Sequence, residues 1–216
     1  MTKQTETNQP RIDRYGESEV RELAGKDPIL GKAMAEIGMI RREVTPDLFE
    51  ALVSSIVSQQ IAKKAYFTVW GRVQELAGKV TPQTIQALDR EALKACGLSY
   101  KKTDWIKSAA QMVCDGQLDL ESLKQLPDEE VIRQLIRLPG IGVWTAEMLL
   151  IFSLERPDII SFGDLAIRRG IQNLYGLSEL TKKDFAAIRQ RLSPHNTIAS
   201  LYFWELSREA KAADPD

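Results

Sequence analysis

Two cysteines, Cys96 and Cys114, and one histidine, His195, are all that the 216 residues offer to a disulfide or a soft metal. That supply excludes a disulfide framework and a four-cysteine zinc or iron–sulfur centre. It fits a reducing cytoplasm, with each thiol read as a small buried hydrophobe. Neither sign of charge is in excess: 29 Lys and Arg face 30 Asp and Glu, for a net charge of −1. The broad basic face that announces many nucleic-acid binders is missing, so any grip on a polyanion has to be local. No apolar run approaches the roughly 20 residues that span a bilayer. Residues 1–15 are polar, without the apolar core of a secretory signal, and read as a loose tail. What remains, 44% hydrophobic and 27% charged, is the composition of a soluble globular protein.

Periodicity is helical along nearly the whole chain, with no convincing strand alternation. Helices are predicted over 17–24 and 28–37. At Thr45-Pro46-Asp47 the chain has an expected N-cap, a proline at the first helical position and an acid in the first turn. The helix that follows carries Leu48, Phe49, Leu52, Val53, Ile56 and Val57 on one face and ends near Gln59-Gln60. Further helices are predicted over 62–76, 84–88 after Thr81-Pro82, 90–96 after Asp89, and 100–114, the last with Trp105, Ile106, Ala109 and Val113 inward. Then come 120–126, 128–137, an apolar helix through Phe152, and 165–175, 182–192 and 195–212. The fold class is all-α, about a dozen helices with short connections and no internal repeat.

The chain is organised around Leu138-Pro139-Gly140-Ile141-Gly142-Val143-Trp144-Thr145-Ala146, followed by Phe162-Gly163-Asp164. Proline closes the preceding helix, and the two glycines allow a tight turn and a close backbone approach. The next helix then opens with free N–H groups and a positive dipole end, which suits a phosphate. Asp164, ahead of Leu165-Ala166-Ile167, is in N-cap position. A helix N-terminus also favours the charged form of a carboxylate.

This pattern resembles the helix-hairpin-helix of DNA repair glycosylases, with Asp164 falling twenty residues after Trp144. The resemblance runs from about Thr45 to Glu205. Within it, Leu52 to Gln60 and Ser193 to Trp204 are similar to the 3-methyladenine DNA glycosylase II branch. It implies two helical lobes, 45–154 with the hairpin at 128–153, and 155–216 packed with 1–44, and an active-site cleft between them. It implies a monomeric enzyme, cytoplasmic and unattached to membranes, that flips a damaged base from double-stranded DNA and hydrolyses its glycosidic bond in base excision repair. Alkylated purines such as 3-methyladenine and 7-methylguanine are the implied substrates. Hypoxanthine, ethenoadenine or a modified uracil is the alternative, and a non-catalytic DNA-binding hairpin a further one.

By the same resemblance Asp164 is the catalytic carboxylate. Trp144, Met148, Leu165 and His195 line the base pocket, and Gln60 or Ile61 is the wedge that fills the vacated stack. Gly140, Gly142, Trp144 and Thr145 hold the DNA backbone through amides and the Thr145 hydroxyl. Trp144 stands where strand-cutting relatives carry a Schiff-base lysine, so no β-lyase activity is expected. The carbonyls of Ile136, Leu138 and Ile141 match a site for a structural Na+ or K+, no other cofactor is required, and no cysteine follows Cys114 to build an iron–sulfur cluster. Lys63, Lys64, Lys101, Lys102, Arg168 and Arg169 are the basic candidates left. Plainer readings compete: Trp144 as a core residue, His195 as a cap or surface residue, Gln60 as an exposed helix end, Asp158 as a cap.

Overall fold

A computed structural model describes residues 11–12 and 15–212, so the tail expected over 1–15 lies mostly outside the described residues. In chain order the helices are α1 (Glu17–Lys26), α2 (Pro28–Ile37), α3 (Leu48–Ser58), α4 (Lys63–Ala77), α5 (Pro82–Ala87), α6 (Arg90–Ala95) and α7 (Tyr100–Cys114). They continue as α8 (Asp128–Leu135), α9 (Val143–Phe152), α10 (Leu165–Tyr175), α11 (Lys182–Leu192) and α12 (Asn196–Ala212). The all-α class holds. The chain divides into two compact units, Met1–Pro46 with Pro157–Asp216, and Asp47–Arg156.

The first unit is built on α10 and α12. Gly170 lets them meet: a Cβ there would stand 2.0 Å from the Phe203 carbonyl oxygen. Leu23, Leu30, Ile167, Ile171, Tyr202 and Phe203 form its buried centre. Asp27 ties three elements together from inside. Its Oδ1 accepts the Leu30 N–H at 2.9 Å and so caps α2. Its Oδ2 accepts the Tyr175 hydroxyl at 2.7 Å and lies 2.8 Å from the Arg191 guanidinium. A two-residue antiparallel pairing of Arg11–Ile12 with Glu43–Val44 corrects the expectation of no strands. Two residues are too short to show alternation in a sequence.

The second unit buries the face of α3 foreseen in the sequence: Leu48, Phe49, Leu52, Val53, Ile56 and Val57. Its start is corrected. Asp47, not Thr45, is the N-cap, with Oδ1 accepting the Phe49 and Glu50 amides at 3.0 Å each. Thr45 directly follows the strand residue Val44, and a carboxylate two residues on reaches the first-turn amides instead. The helix predicted over 120–126 is only a 3-10 turn, Ser122–Gln125, between an Asp119 turn and Pro127. On α7 the buried residues are Thr103, Ile106, Ala109 and Ala110, while Trp105 and Val113 are only partly covered. Among the described residues no helix is long and apolar enough to cross a membrane.

Candidate active site

The bend between α8 and α9 is held by its own backbone. The Leu138 N–H donates to the Leu135 carbonyl at 3.0 Å, and the Ile141 N–H donates to the Leu138 carbonyl at 3.1 Å. Gly140 has φ +84°, in the left-handed region, and a Cβ there would lie 2.3 Å from Cε3 of Trp105. The half-buried Trp105 ring therefore floors the turn, a role the sequence did not reveal. Gly142 is the N-cap of α9 and brings no side chain to its first amides. Asp47, Asp89 and Asp164 do cap their helices with a carboxylate.

Trp144 is 47% exposed at the start of α9, beside an exposed Val143, so the core reading of this tryptophan does not hold. Met148, one turn on, is partly buried. Thr145 is buried, at 7% exposure. Residue 145 falls on the face of α9 that carries Ala146, Leu149 and Leu150 into the core.

The end of α3 is fastened to this bend. Gln59 Nε2 donates to the Gly140 carbonyl at 2.8 Å. Gln60 follows with φ +55°, unusual for a residue with a side chain, and Ile61 is exposed. Both border a cavity of about 250 Å³ that Val57, Ser99 and Lys102 also line. Lys102 is turned inward, its Nζ donating to the carbonyls of Val57, at 2.8 Å, and Gln59. Burial pushes its ammonium below the usual lysine range. The other basic candidates with a described contact rest on rings: Lys101 on Trp105, Lys63 on Phe67 and Arg168 on Phe162.

In the first unit Asp164 is the N-cap of α10, its Oδ1 accepting the Ala166 and Ile167 amides at 2.8 and 3.0 Å. It is 8% exposed, whereas Leu165 beside it is 54% exposed. His195 precedes α12 and is buried, so it is not a surface residue. Its Nε2 lies 2.9 Å from Glu22 Oε2 on α1, and this contact holds the Glu22 carboxyl below the usual range. Asp158 has the capping role: Oδ1 accepts the Asn196 amide at 3.2 Å and its Nδ2 at 2.6 Å, and Oδ2 accepts the Ser193 hydroxyl at 2.6 Å. The structure thus gathers Gln60, Ile61, the bend, Trp144 and Met148 in one unit, and Asp164, Leu165 and His195 in the other. The roles of Gln59, Lys102 and the Glu22–His195 pair went unread, since each partner is remote along the chain.

Residues 53–195 match the family described as the HhH-GPD superfamily of base excision DNA repair proteins. The chain belongs to that superfamily. The matched span includes every candidate residue from Gln60 to His195. Among HhH-GPD relatives, DNA-3-methyladenine glycosylase 1 of Schizosaccharomyces pombe is 35% identical over 172 residues, covering 77% of this chain and 75% of that protein. The crystal structure of a DNA-3-methyladenine glycosidase from Bacillus halodurans superposes with a TM-score of 0.83 at 33% identity, covering 94% of each chain. A Schizosaccharomyces pombe 3-methyladenine DNA glycosylase in complex with abasic DNA superposes with a TM-score of 0.75 at 32% identity, over 88% of this chain and 97% of that one.

Proposed function

We propose that this HhH-GPD protein is a monofunctional DNA N-glycosylase that removes alkylated purines from duplex DNA, acting as a monomer in the cytoplasm. The observation that carries the reading is Asp164, a carboxylate fixed by two amides at the N-terminus of α10, in a chain 35% identical to a protein named a DNA-3-methyladenine glycosylase.

A purine methylated at N3 or N7 already carries positive charge. When its bond to C1′ breaks, the electron pair neutralises the base, and no strong general acid is needed. Positive charge then builds on the deoxyribose, and an anion held nearby stabilises it or orients the incoming water. The two amides at Oδ1 fix the Asp164 carboxylate in place for this role. Water adds to C1′, gives up a proton, and leaves an abasic sugar. Trp144 offers an electron-rich ring to the cationic base, with Met148 one turn further along α9 and Leu165, next to Asp164, as further apolar candidates. His195, whose Nε2 lies 2.9 Å from Glu22 Oε2, remains a candidate for the base pocket.

The uncapped start of α9 and the amides of Gly140, Gly142 and Trp144 suit a DNA phosphate. A Na+ or K+ fits the carbonyls of Ile136, Leu138 and Ile141: the one bond at Leu138 leaves that oxygen a second lone pair. Bound there, the ion would supply positive charge toward the same phosphate. Gln60 or Ile61 fills the stack after flipping.

Asp164→Asn tests the assignment cleanly, because Asn caps a helix as well as Asp does. Release of 7-methylguanine from methylated duplex, read by chromatography, is expected to fall by about 10²–10³-fold with duplex binding retained. Unchanged release would remove Asp164 from the chemistry. Preferential release of hypoxanthine, ethenoadenine or a modified uracil by the wild type would move the substrate class to one of those lesions.

A further inference from the structure

The four residues between α3 and α4, 59–62, lack the usual means of stopping a helix. No glycine follows Ser58, and α3 has no basic residue of its own in its last turn. The last carbonyls of a helix need partners from elsewhere, and the dipole leaves negative charge among them. Here the turn is instead made by Gln60 at φ +55°, a conformation unfavourable for a side chain and held only where its surroundings enforce it. Lys102, on α7, answers both needs. Its Nζ bonds the carbonyl of Val57 inside α3 and that of Gln59, the residue just before the strained Gln60. Gln59 in turn is anchored through Nε2 to the Gly140 carbonyl of the bend.

We infer that Lys102 is a positioning residue, which locks the Gln60–Ile61 turn in register with the phosphate-binding bend so that the wedge enters the duplex when the backbone is gripped. The inference rests on the proposed wedge role of Gln60 or Ile61. An ammonium suits the task because it is compact and carries three donors, where a guanidinium is planar and broader. With two of its three donors on carbonyls, Lys102 serves as an internal anchor rather than a phosphate contact, although its position in Lys101-Lys102 invites that reading. The lowered proton affinity produced by its burial agrees with an internal rather than a DNA-facing place.

The test uses the full chain and a duplex carrying a tetrahydrofuran abasic analogue next to 2-aminopurine, whose fluorescence rises when an inserted side chain unstacks it. No base release is needed for the signal. With saturating protein, verified folded by circular dichroism, Lys102→Met is expected to lower the fluorescence gain at least five-fold. The slope of log affinity against log salt should stay within about 0.3 of the wild type, because no phosphate contact is lost. A full gain with Lys102→Met overturns the inference. So does a slope shallower by about one, the mark of a lost phosphate contact. If Lys102→Met does not fold, Lys102→Arg carries the same measurement. It keeps the charge, so a phosphate role predicts the wild-type gain, while the positioning role predicts a reduced gain. An absence of fluorescence gain with the wild type overturns the wedge reading, and this inference with it. A wild-type gain that Lys102→Met leaves intact overturns this inference alone.

Discussion

Gly140 has two separate reasons to lack a side chain, its left-handed φ and the Trp105 ring 2.3 Å from where a Cβ would sit. The first costs an L-residue about 1–2 kcal/mol, and relieving the second moves a packed ring at about 1–3 kcal/mol. Gly140→Ala is therefore expected to destabilise the protein by roughly 2–5 kcal/mol. A lower thermal midpoint and a weaker affinity for undamaged duplex would register it; a wild-type midpoint would contradict the packing described. Trp144 carries a different expectation. With no amine at that position, borohydride added during turnover should trap no covalent protein–DNA adduct, and an adduct on a denaturing gel would contradict it. Asp164 and the two glycines were legible in the sequence because capping and tight turns are local chemistry. Lys102 was not, since its partners lie 43 and 45 residues away and a lysine beside a lysine reads as surface.

Among elements, aspartates cap α2, α3, α6 and α10, and the misplaced start of α3 was a matter of register. Asp47 displaced Thr45 by two residues because either could begin the same amphipathic face, and only the strand ending at Val44 decides between them. The stretch over 120–126 failed as a helix because Asp119 and Pro127 confine it to a single turn. One capping aspartate also fastens helices to each other. Asp27, at the junction of α1 and α2, receives the hydroxyl of Tyr175 at the end of α10 and the guanidinium of Arg191 on α11. Burial first, then the bond to Asp27, raises the Tyr175 proton affinity strongly. The folded phenol thus stays protonated beyond about pH 10, where the unfolded one ionises. The stability it confers is complete below about pH 10 and is lost as pH rises further. Tyr175→Phe is expected to cost about 1.5–3 kcal/mol at pH 7. Urea titrations should show the difference shrinking above about pH 10. A constant difference would place the contribution elsewhere.

For the whole molecule, a net charge of −1 limits how DNA can be held. The bend supplies amides rather than a field of lysines, and several basic side chains are engaged with rings or carbonyls inside the protein. Affinity should then vary gently with salt: neutral amides displace few counterions, so the slope is expected to be shallower than about −4. A slope near −8 would reveal a basic surface that the described contacts do not contain. The near-neutral balance was plain from composition and the all-α class from periodicity, whereas the proposed grip on a polyanion rests on the geometry of one turn. The cap on α10 has an evolutionary edge as well. Asp and Asn codons differ by one nucleotide, and Asn fills the same capping place. On the role proposed for Asp164, a single transition at codon 164 would leave a well-folded protein that still settles on damaged DNA yet no longer mends it. Such an allele would shield lesions from the remaining repair machinery, and a cell would be better served by deleting the gene than by carrying it.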